Sequence, residues 1–394
     1  MLTHEFPPHI FGGIGTFCSE LSDALGKRGI EVTVIAGSPV RPLVTERLGK
    51  RVRVVRVPRL DLPPSHLWFQ LMNQNAFKKL FHDVDVIHGQ DLSAFPTIYF
   101  AKKNNPQLPW VVTIHSGPVS EMMYAIRSIN HGGTVGDLIG YGLGFPARDA
   151  ILCGDMKYAD AIVPVSNSLS SELINCRYVA KNRLLTIHTG INLHRTLDIA
   201  RTKSCPSSSS KIRLFWSGRH VWRKGVLQLV EALAILKDQY AFENFELNIF
   251  GRGPLSGEMR RLVAQLGLEQ NVKIRGFVQQ DVLLAWLASS HIVCFPSLYE
   301  ACPIGMVEAM AFGKPIVAFD RPFARELMGD DLELPFATTV DHLARNLNAL
   351  SHDQKLRERM GNTLRQRALN YFDMEIIAEQ YARLYQSLLE EKAN

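Results

Sequence analysis

The chain has 394 residues, 44 Lys and Arg against 38 Asp and Glu, a formal charge of +6, and 46% hydrophobic residues. That balance excludes a disordered chain, which combines low hydrophobicity with high net charge, and the length predicts two domains rather than one core. The excess is uneven: residues 1–210 hold 22 basic against 16 acidic residues, and residues 211–394 hold 22 of each, so an acidic partner is expected on the first half.

Cysteines stand at 18, 153, 176, 205, 294 and 302, with no Cys-x-x-Cys pair. Neither a zinc knuckle nor a redox dithiol is suggested, and a reducing, cytoplasmic setting is expected. No run of about 18 apolar residues could form a membrane-crossing helix. The start, Met1 to Pro8, lacks the basic and apolar regions of a signal peptide.

In chain order, the first half alternates β-rich runs with amphipathic stretches. Strands are expected at 31–36, 52–57, 84–88, 110–114 and 161–165. Residues 16–28 keep Phe17, Leu21, Ala24 and Leu25 on one helical face, and Gly29 ends that helix. A glycine turn normally follows a full strand, yet only four residues precede the Pro7-Pro8 to Gly12-Gly13 turn. Either the first strand is very short or the start lies too late. Residues 202–211 are polar and serine-rich and read as a linker. The alternation then restarts, with strands at 212–216, 245–250, 272–275, 292–295 and 315–318 and helices at 225–240 and 255–267. An amphipathic helix closes the chain at 374–390. Two such series predict two doubly wound α/β domains with parallel sheets.

Four segments carry candidate chemistry. Gly12-Gly-Ile-Gly15 opens a helix, where amides and dipole favour a phosphate. In Gly218-Arg-His-Val-Trp-Arg-Lys-Gly225, Arg219, Arg223 and Lys224 gather after a strand, where α/β sheets place ligands. Gly251-Arg-Gly253 superficially matches a dinucleotide fingerprint, but its spacing is wrong and no acid follows the next strand for a ribose. The fourth, Pro296 to Ala318, sets Glu300 on a loop and Glu308 in the first turns of a helix. Amides of that helix start can hold phosphate while the two carboxylates accept from hydroxyls, and a sugar nucleotide offers both groups.

These segments, in this order, resemble the retaining glycosyltransferases of family 4 (glycosyl transferases group 1). The Glu-x7-Glu block with Glu-Ala-Met-Ala-x-Gly-x-Pro is the specific part. The resemblance implies a GT-B fold, two Rossmann-like domains facing a cleft. The expected layout is an acceptor-side domain at 1–200, a linker at 201–211, a donor-binding domain at 212–370, and a C-terminal helix at 371–394 packing back on the first domain.

It also implies roles. Gly13 would approach the donor diphosphate, and Arg219 and Lys224 would neutralise it as it leaves. Glu300 would hold the donor sugar and Glu308 the ribose. Gly253 and the amides of Ile304, Gly305, Met306 and Val307 would meet the donor, and Phe277 and Val278 would lie against the base. His115 would stand near the reacting sugar. The implied enzyme is a metal-independent hexosyltransferase of carbohydrate biosynthesis with no cofactor besides its nucleoside diphosphate sugar donor. Its acceptor would be a glycan, lipid or small molecule, with no nucleic acid partner.

Residues 117–150, rich in glycine, are expected on the acceptor side. Cys302-Pro303 departs from the family pattern, since Pro303 has no N–H to give a sugar. Alternatives are an NADP-dependent oxidoreductase using Gly251 and Gly253, a non-catalytic nucleotide-sugar or glycan-binding protein, and a nucleotide-sugar epimerase. The basic run Arg47, Lys50, Arg51, Arg53, Arg56 and Arg59 suggests peripheral contact of the first domain with an anionic inner membrane surface.

Overall fold

The structure is a computed structural model and describes residues 1–9, 12–39, 44–60, 65–95, 97–128, 146, 149–175, 183–202 and 210–393. Most of the expected linker and the glycine-rich stretch at 131–144 lie outside the described residues. The chain divides into two compact units: Met1–Met122, Ile139–Gly190 and Met374–Asn394 form one, and Met123–Leu138 and Ile191–Asp373 the other.

The first unit holds β1 (Leu2–Thr3), α1 (Gly13–Lys27), β2 (Val32–Ser38), β3 (Val44–Leu48), β4 (Val52–Pro58), α2 (Ser65–Met72), α3 (Gln74–Leu80), β5 (Ile87–Gln90), α4 (Thr97–Asn104), β6 (Trp110–Ile114), β7 (Ala161–Pro164) and α6 (Asn167–Asn175), with α5 (Pro118–Ser128) running into the second. Its seven strands lie in the order β3-β4-β2-β1-β5-β6-β7. All pair in parallel except β3, which runs antiparallel to β4 at the edge. The alternation pattern missed β3, whose sequence Val-Thr-Glu-Arg-Leu is half polar. The first strand, β1, has two residues and lies between β2 and β5.

Helix α1 ends as its sequence predicts. Gly29 takes φ 91°, its N–H bonds Gly26 O, and Ile30 N–H reaches back to Leu25 O, which satisfies carbonyls the helix end would leave open. Phe17, Leu21 and Leu25 are buried with Val34, Val54, Val111 and Val163, and with Ile377 and Tyr381 of the last helix. Burying each such side chain contributes about 2 kcal/mol of transfer free energy.

The second unit holds α7 (Leu193–Thr202), β8 (Ile212–Ser217), α8 (Val226–Asp238), β9 (Phe245–Phe250), α9 (Ser256–Gln265), β10 (Val272–Gly276), α10 (Gln280–Ser289), β11 (Ile292–Phe295), α11 (Ile304–Ala311), β12 (Ile316–Ala318), α12 (Pro322–Met328), α13 (Val340–His352) and α14 (Gln354–Tyr371). Its sheet is wholly parallel in the order β10-β9-β8-β11-β12. The strand order reverses between β8 and β11, and ligands of such sheets bind at the carboxyl ends of the strands flanking that point. The last helix, α15 (Met374–Ala393), returns to the first unit.

Two of the six basic side chains expected at the surface are interior. Arg56 is 5% exposed, donating to Phe6 O at 3.2 Å and paired with Glu46 at 3.4 Å. Arg59 is 7% exposed and donates to His4 O at 3.0 Å. Both tie down the loop after β1, because a guanidinium presents five N–H donors in a rigid fork and is more weakly hydrated than an ammonium. Moreover, β4 is not an edge strand: β3 covers it.

Candidate active site

The loops after β8 and β11 interlock. Gly225 sits at φ 67°, and a Cβ there would meet Pro296 O at 1.9 Å, so only glycine lets the two backbones approach this closely. Leu298 N–H donates to Arg223 O at 2.7 Å. That clamp delivers Lys224 and Arg223 to Glu300, which is 8% exposed. Lys224 Nζ lies 2.5 Å from Glu300 Oε1, and Arg223 lies 3.7 Å from Oε2.

Burial alone would push the Glu300 carboxyl up, but Lys224, Arg223 and Ser297 outweigh it and hold the carboxyl below its usual value. Burial pulls the Lys224 ammonium down, Glu300 opposes this, and Arg223 adds to it. The result is an ionised cluster of two cations and one anion at the switch point of the sheet. Arg223 is the cation that the sequence placed in the loop without a role. Arg219 is exposed in the same loop, and Lys224 and Arg223 are paired with Glu300.

Glu308 is 7% exposed in the first turns of α11, and Gln280 of α10 donates to its Oε1 at 2.7 Å. Gln280 carried no recognisable sequence signal. Pro303 takes the N-cap position of α11, and its carbonyl accepts from Met306 N–H at 3.1 Å and Val307 N–H at 3.4 Å. The amides of Ile304 and Gly305, in the first turn, have no intrahelical partner by helix geometry. Met306 and Val307 have their side chains in the core. Phe277, after β10, is 65% exposed with the Arg252 guanidinium 5.5 Å over its ring, and Val278 is half-buried beside it.

The glycines of the 251–253 segment have another explanation. A Cβ on Gly251 would meet Gly218 O at 2.0 Å, and one on Gly253 would meet His220 O at 2.5 Å. The Gly253 N–H is held by Ser256 Oγ at 3.1 Å. These glycines let the loop after β9 close on the loop after β8. The segment also follows the second strand of its unit, whereas a dinucleotide fingerprint follows the first, so the oxidoreductase alternative loses its motif.

The first unit brings a second group together at the ends of β1, β5 and β6. His115 follows β6, and its Nε2 lies 2.8 Å from Gln90 Oε1 at the end of β5. Phe17 of α1 meets the ring edge-on at 5.1 Å. Burial pushes the imidazole down to about 3, so it is neutral near pH 7. Asp91, buried at φ 50°, accepts from His115 N–H and from Ser116 Oγ, each at 3.3 Å. A non-glycine residue in that region is uncommon, and Asp is among the side chains that tolerate it.

The glycine turn differs from its expected use. The Glu5 carboxylate accepts from Gly12 N–H and Gly15 N–H, each at 3.1 Å. Two of the amides expected to hold a phosphate therefore carry a carboxylate of the chain itself. Gly13, the first residue of α1, is exposed. Among the described residues no three His, Cys, Asp or Glu side chains gather as a metal ion would need, and no helix is long and apolar enough to cross a membrane.

Comparison with known proteins fits this geometry. A family model described as glycosyl transferases group 1 matches residues 202–367, and one described as glycosyltransferase family 4 matches residues 11–195. An uncharacterized glycosyltransferase of Methanocaldococcus jannaschii is 25% identical, covering 99% of this chain and 98% of that protein. The MMP alpha-(1->4)-mannosyltransferase of Mycolicibacterium hassiacum is likewise 25% identical, with the same shares covered. In structure the chain is similar to sucrose-phosphate synthase of Thermosynechococcus elongatus, with TM-score 0.75, 21% identity and 99% and 96% of the two chains covered. It is also similar to Anabaena HepE, solved with UDP and glucose, with TM-score 0.71, 18% identity and 98% and 100% covered.

Proposed function

The chain belongs to the GT-B glycosyltransferases of the group 1 and family 4 kind, and from that premise we propose that it moves a hexosyl group from a nucleoside diphosphate sugar to an acceptor hydroxyl with retention of configuration. The observation that carries the reading is the Lys224–Glu300–Arg223 cluster around the buried Glu300 carboxylate at the switch point, followed by Glu308 on α11.

In this reading the leaving diphosphate gains negative charge as the glycosidic bond breaks, and Lys224 and Arg223 are already charged and oriented to receive it. Such preorganised charge is most valuable in the transition state. Glu300, ionised by the same cations, accepts hydroxyls of the donor sugar. Glu308, steadied by Gln280, accepts the ribose hydroxyls, the open amides of Ile304 and Gly305 meet sugar or phosphate, and Phe277 with Val278 supports the base. Neutral His115 serves as a hydrogen-bonding partner of the reacting sugar rather than a cation. The acceptor proton goes to the departing phosphate oxygen on the same face, so no protein nucleophile is needed and the protein's part is positioning. With two cations in place, activity in EDTA is expected.

A relative described as a mannosyltransferase supports a hexosyl donor, and the neighbour solved with UDP and glucose puts UDP first among the nucleotides to try. The test is a thermal-shift panel of UDP, GDP, ADP and NADPH, followed by NMR of the product's anomeric proton with the donor that binds. One nucleoside diphosphate should stabilise the protein and the product should keep the donor's anomeric configuration. Stabilisation by NADPH alone, or an inverted product, overturns the reading.

A further inference from the structure

A continuous chain of hydrogen bonds joins the last helix to His115 inside the first unit. Tyr385 Oη of α15 lies 2.7 Å from His88 Nδ1. His88 Nε2 lies 2.7 Å from Thr113 Oγ1 and 3.0 Å from Gln90 Nε2. Gln90 Oε1 lies 2.8 Å from His115 Nε2, and Tyr381 Oη lies 2.8 Å from Thr113 Oγ1. His88, Gln90, Thr113 and Tyr381 are all buried.

The chemistry of the amide gives these bonds a direction. A carboxamide oxygen only accepts, so His115 carries its proton on Nε2. A carboxamide nitrogen only donates, so His88 Nε2 is a lone pair and the His88 proton sits on Nδ1, donated to Tyr385 Oη. The Asp91 carboxylate accepts the backbone N–H of His115 and the Ser116 hydroxyl, not the ring. Phe17 meets the ring with carbon only. The ring nitrogen on the Gln90 side is therefore set by Gln90, and Gln90 is set in turn by His88.

We propose that Gln90, held by His88 and by Tyr385 of the last helix, is a positioning residue that keeps His115 in its Nε2–H tautomer, so that the Nδ1 lone pair is the one that meets a substrate hydroxyl. The proposal rests on the reading that His115 adjoins the reacting sugar. It gives the C-terminal helix a part in the chemistry beyond packing. Loss of the Tyr385 hydroxyl leaves the His88 Nδ1–H without its acceptor. Moving that proton to Nε2 turns the Gln90 amide over, which points its NH2 at His115 and moves the His115 proton to Nδ1.

The experiment is long-range 1H–15N spectroscopy of the imidazoles in the full-length 15N-labelled protein, with His115→Asn to assign the signal among 13 histidines. Wild type should show His115 as neutral Nε2–H at pH 7. Gln90→Leu and Tyr385→Phe should each shift it toward Nδ1–H and lower kcat by about 10-fold or more, the usual scale for losing the partner that orients a working histidine, with KM for the donor nearly unchanged. A wild-type signal of Nδ1–H or imidazolium overturns the proposal, and so does an unaltered tautomer in Tyr385→Phe, the milder variant should Gln90→Leu fail to fold. The spectra need no substrate, so they judge the positioning by itself. Normal turnover in His115→Asn would instead overturn the placing of His115 beneath it.

Discussion

Glu300 is buried and the half-buried Lys224 lies against it, each favouring the charged form of the other. Taking an ion into a protein interior costs several kcal/mol unless geometry and further hydrogen bonds offset it. Here a 2.5 Å contact, Arg223 at 3.7 Å and Ser297 do so. A cluster this costly at the end of β8 fits a group that must neutralise something arriving there. Lys224→Ala is therefore expected to lower kcat by about 10²-fold or more, the scale of removing one preorganised contact to developing charge. Steady-state kinetics with the donor found in the panel checks it, and near-normal turnover sinks the role. At this scale the sequence was legible in placement: Glu300 stands on the loop after a strand, Glu308 in the first turns of a helix and Lys224 in the loop after β8. It was silent where partners come from distant elements. Nothing about Gln90 or Gln280 distinguishes them from other glutamines until β5 meets β6 and α10 meets α11.

Among the elements, the loops after β8 and β11 do the positioning, and Gly225 is where they touch. A methyl group there would meet both a left-handed backbone and the Pro296 carbonyl at 1.9 Å. Gly225→Ala should destabilise the second unit by about 1–3 kcal/mol, the cost of a residue held in a disfavoured backbone region. It should also reduce kcat, because Lys224 is the neighbour that must move. Paired urea-unfolding and kinetic measurements check this, and a variant with wild-type stability and turnover would show that the contact is not needed. Parallel strands were legible because they are short runs rich in β-branched and apolar residues, as in Trp110–Ile114 and Ile292–Phe295, and helices because their apolar residues recur on one face. The edge strand β3 was not. Only one of its sides has a strand neighbour, so its residues need no strict apolar alternation, and Val44-Thr-Glu-Arg-Leu48 carries almost none. The glycine turn before α1 was legible as a helix start, yet its occupant was not, because the Glu5 carboxylate reaches it from the far side of a proline loop.

On the scale of the molecule, the basic run from Arg47 to Arg59 divides into two populations with different work. Arg56 and Arg59 are interior and hold the loop after β1. Arg47, Lys50, Arg51 and Arg53 remain exposed around the β3–β4 hairpin. Arg47 and Arg53 stand directly across from each other in the antiparallel register. Like charges so placed repel, and among the described residues Arg51 and Arg53 reach a backbone carbonyl, a threonine and the exposed Glu31 for relief. An anionic surface would relieve that repulsion, at about 1 kcal/mol per basic residue close to a charged bilayer. The expected outcome is that the protein sediments with vesicles containing anionic lipid at low salt and not with neutral ones. The combined Arg47→Glu, Lys50→Glu and Arg53→Glu variant should lose that retention while keeping its turnover on a water-soluble acceptor. Equal sedimentation of the wild type with both vesicle types would remove the membrane as the partner. Retention that survives the triple reversal would move the contact away from the hairpin, because screening at about 8–10 Å leaves charges elsewhere on the unit too far away to substitute for these three.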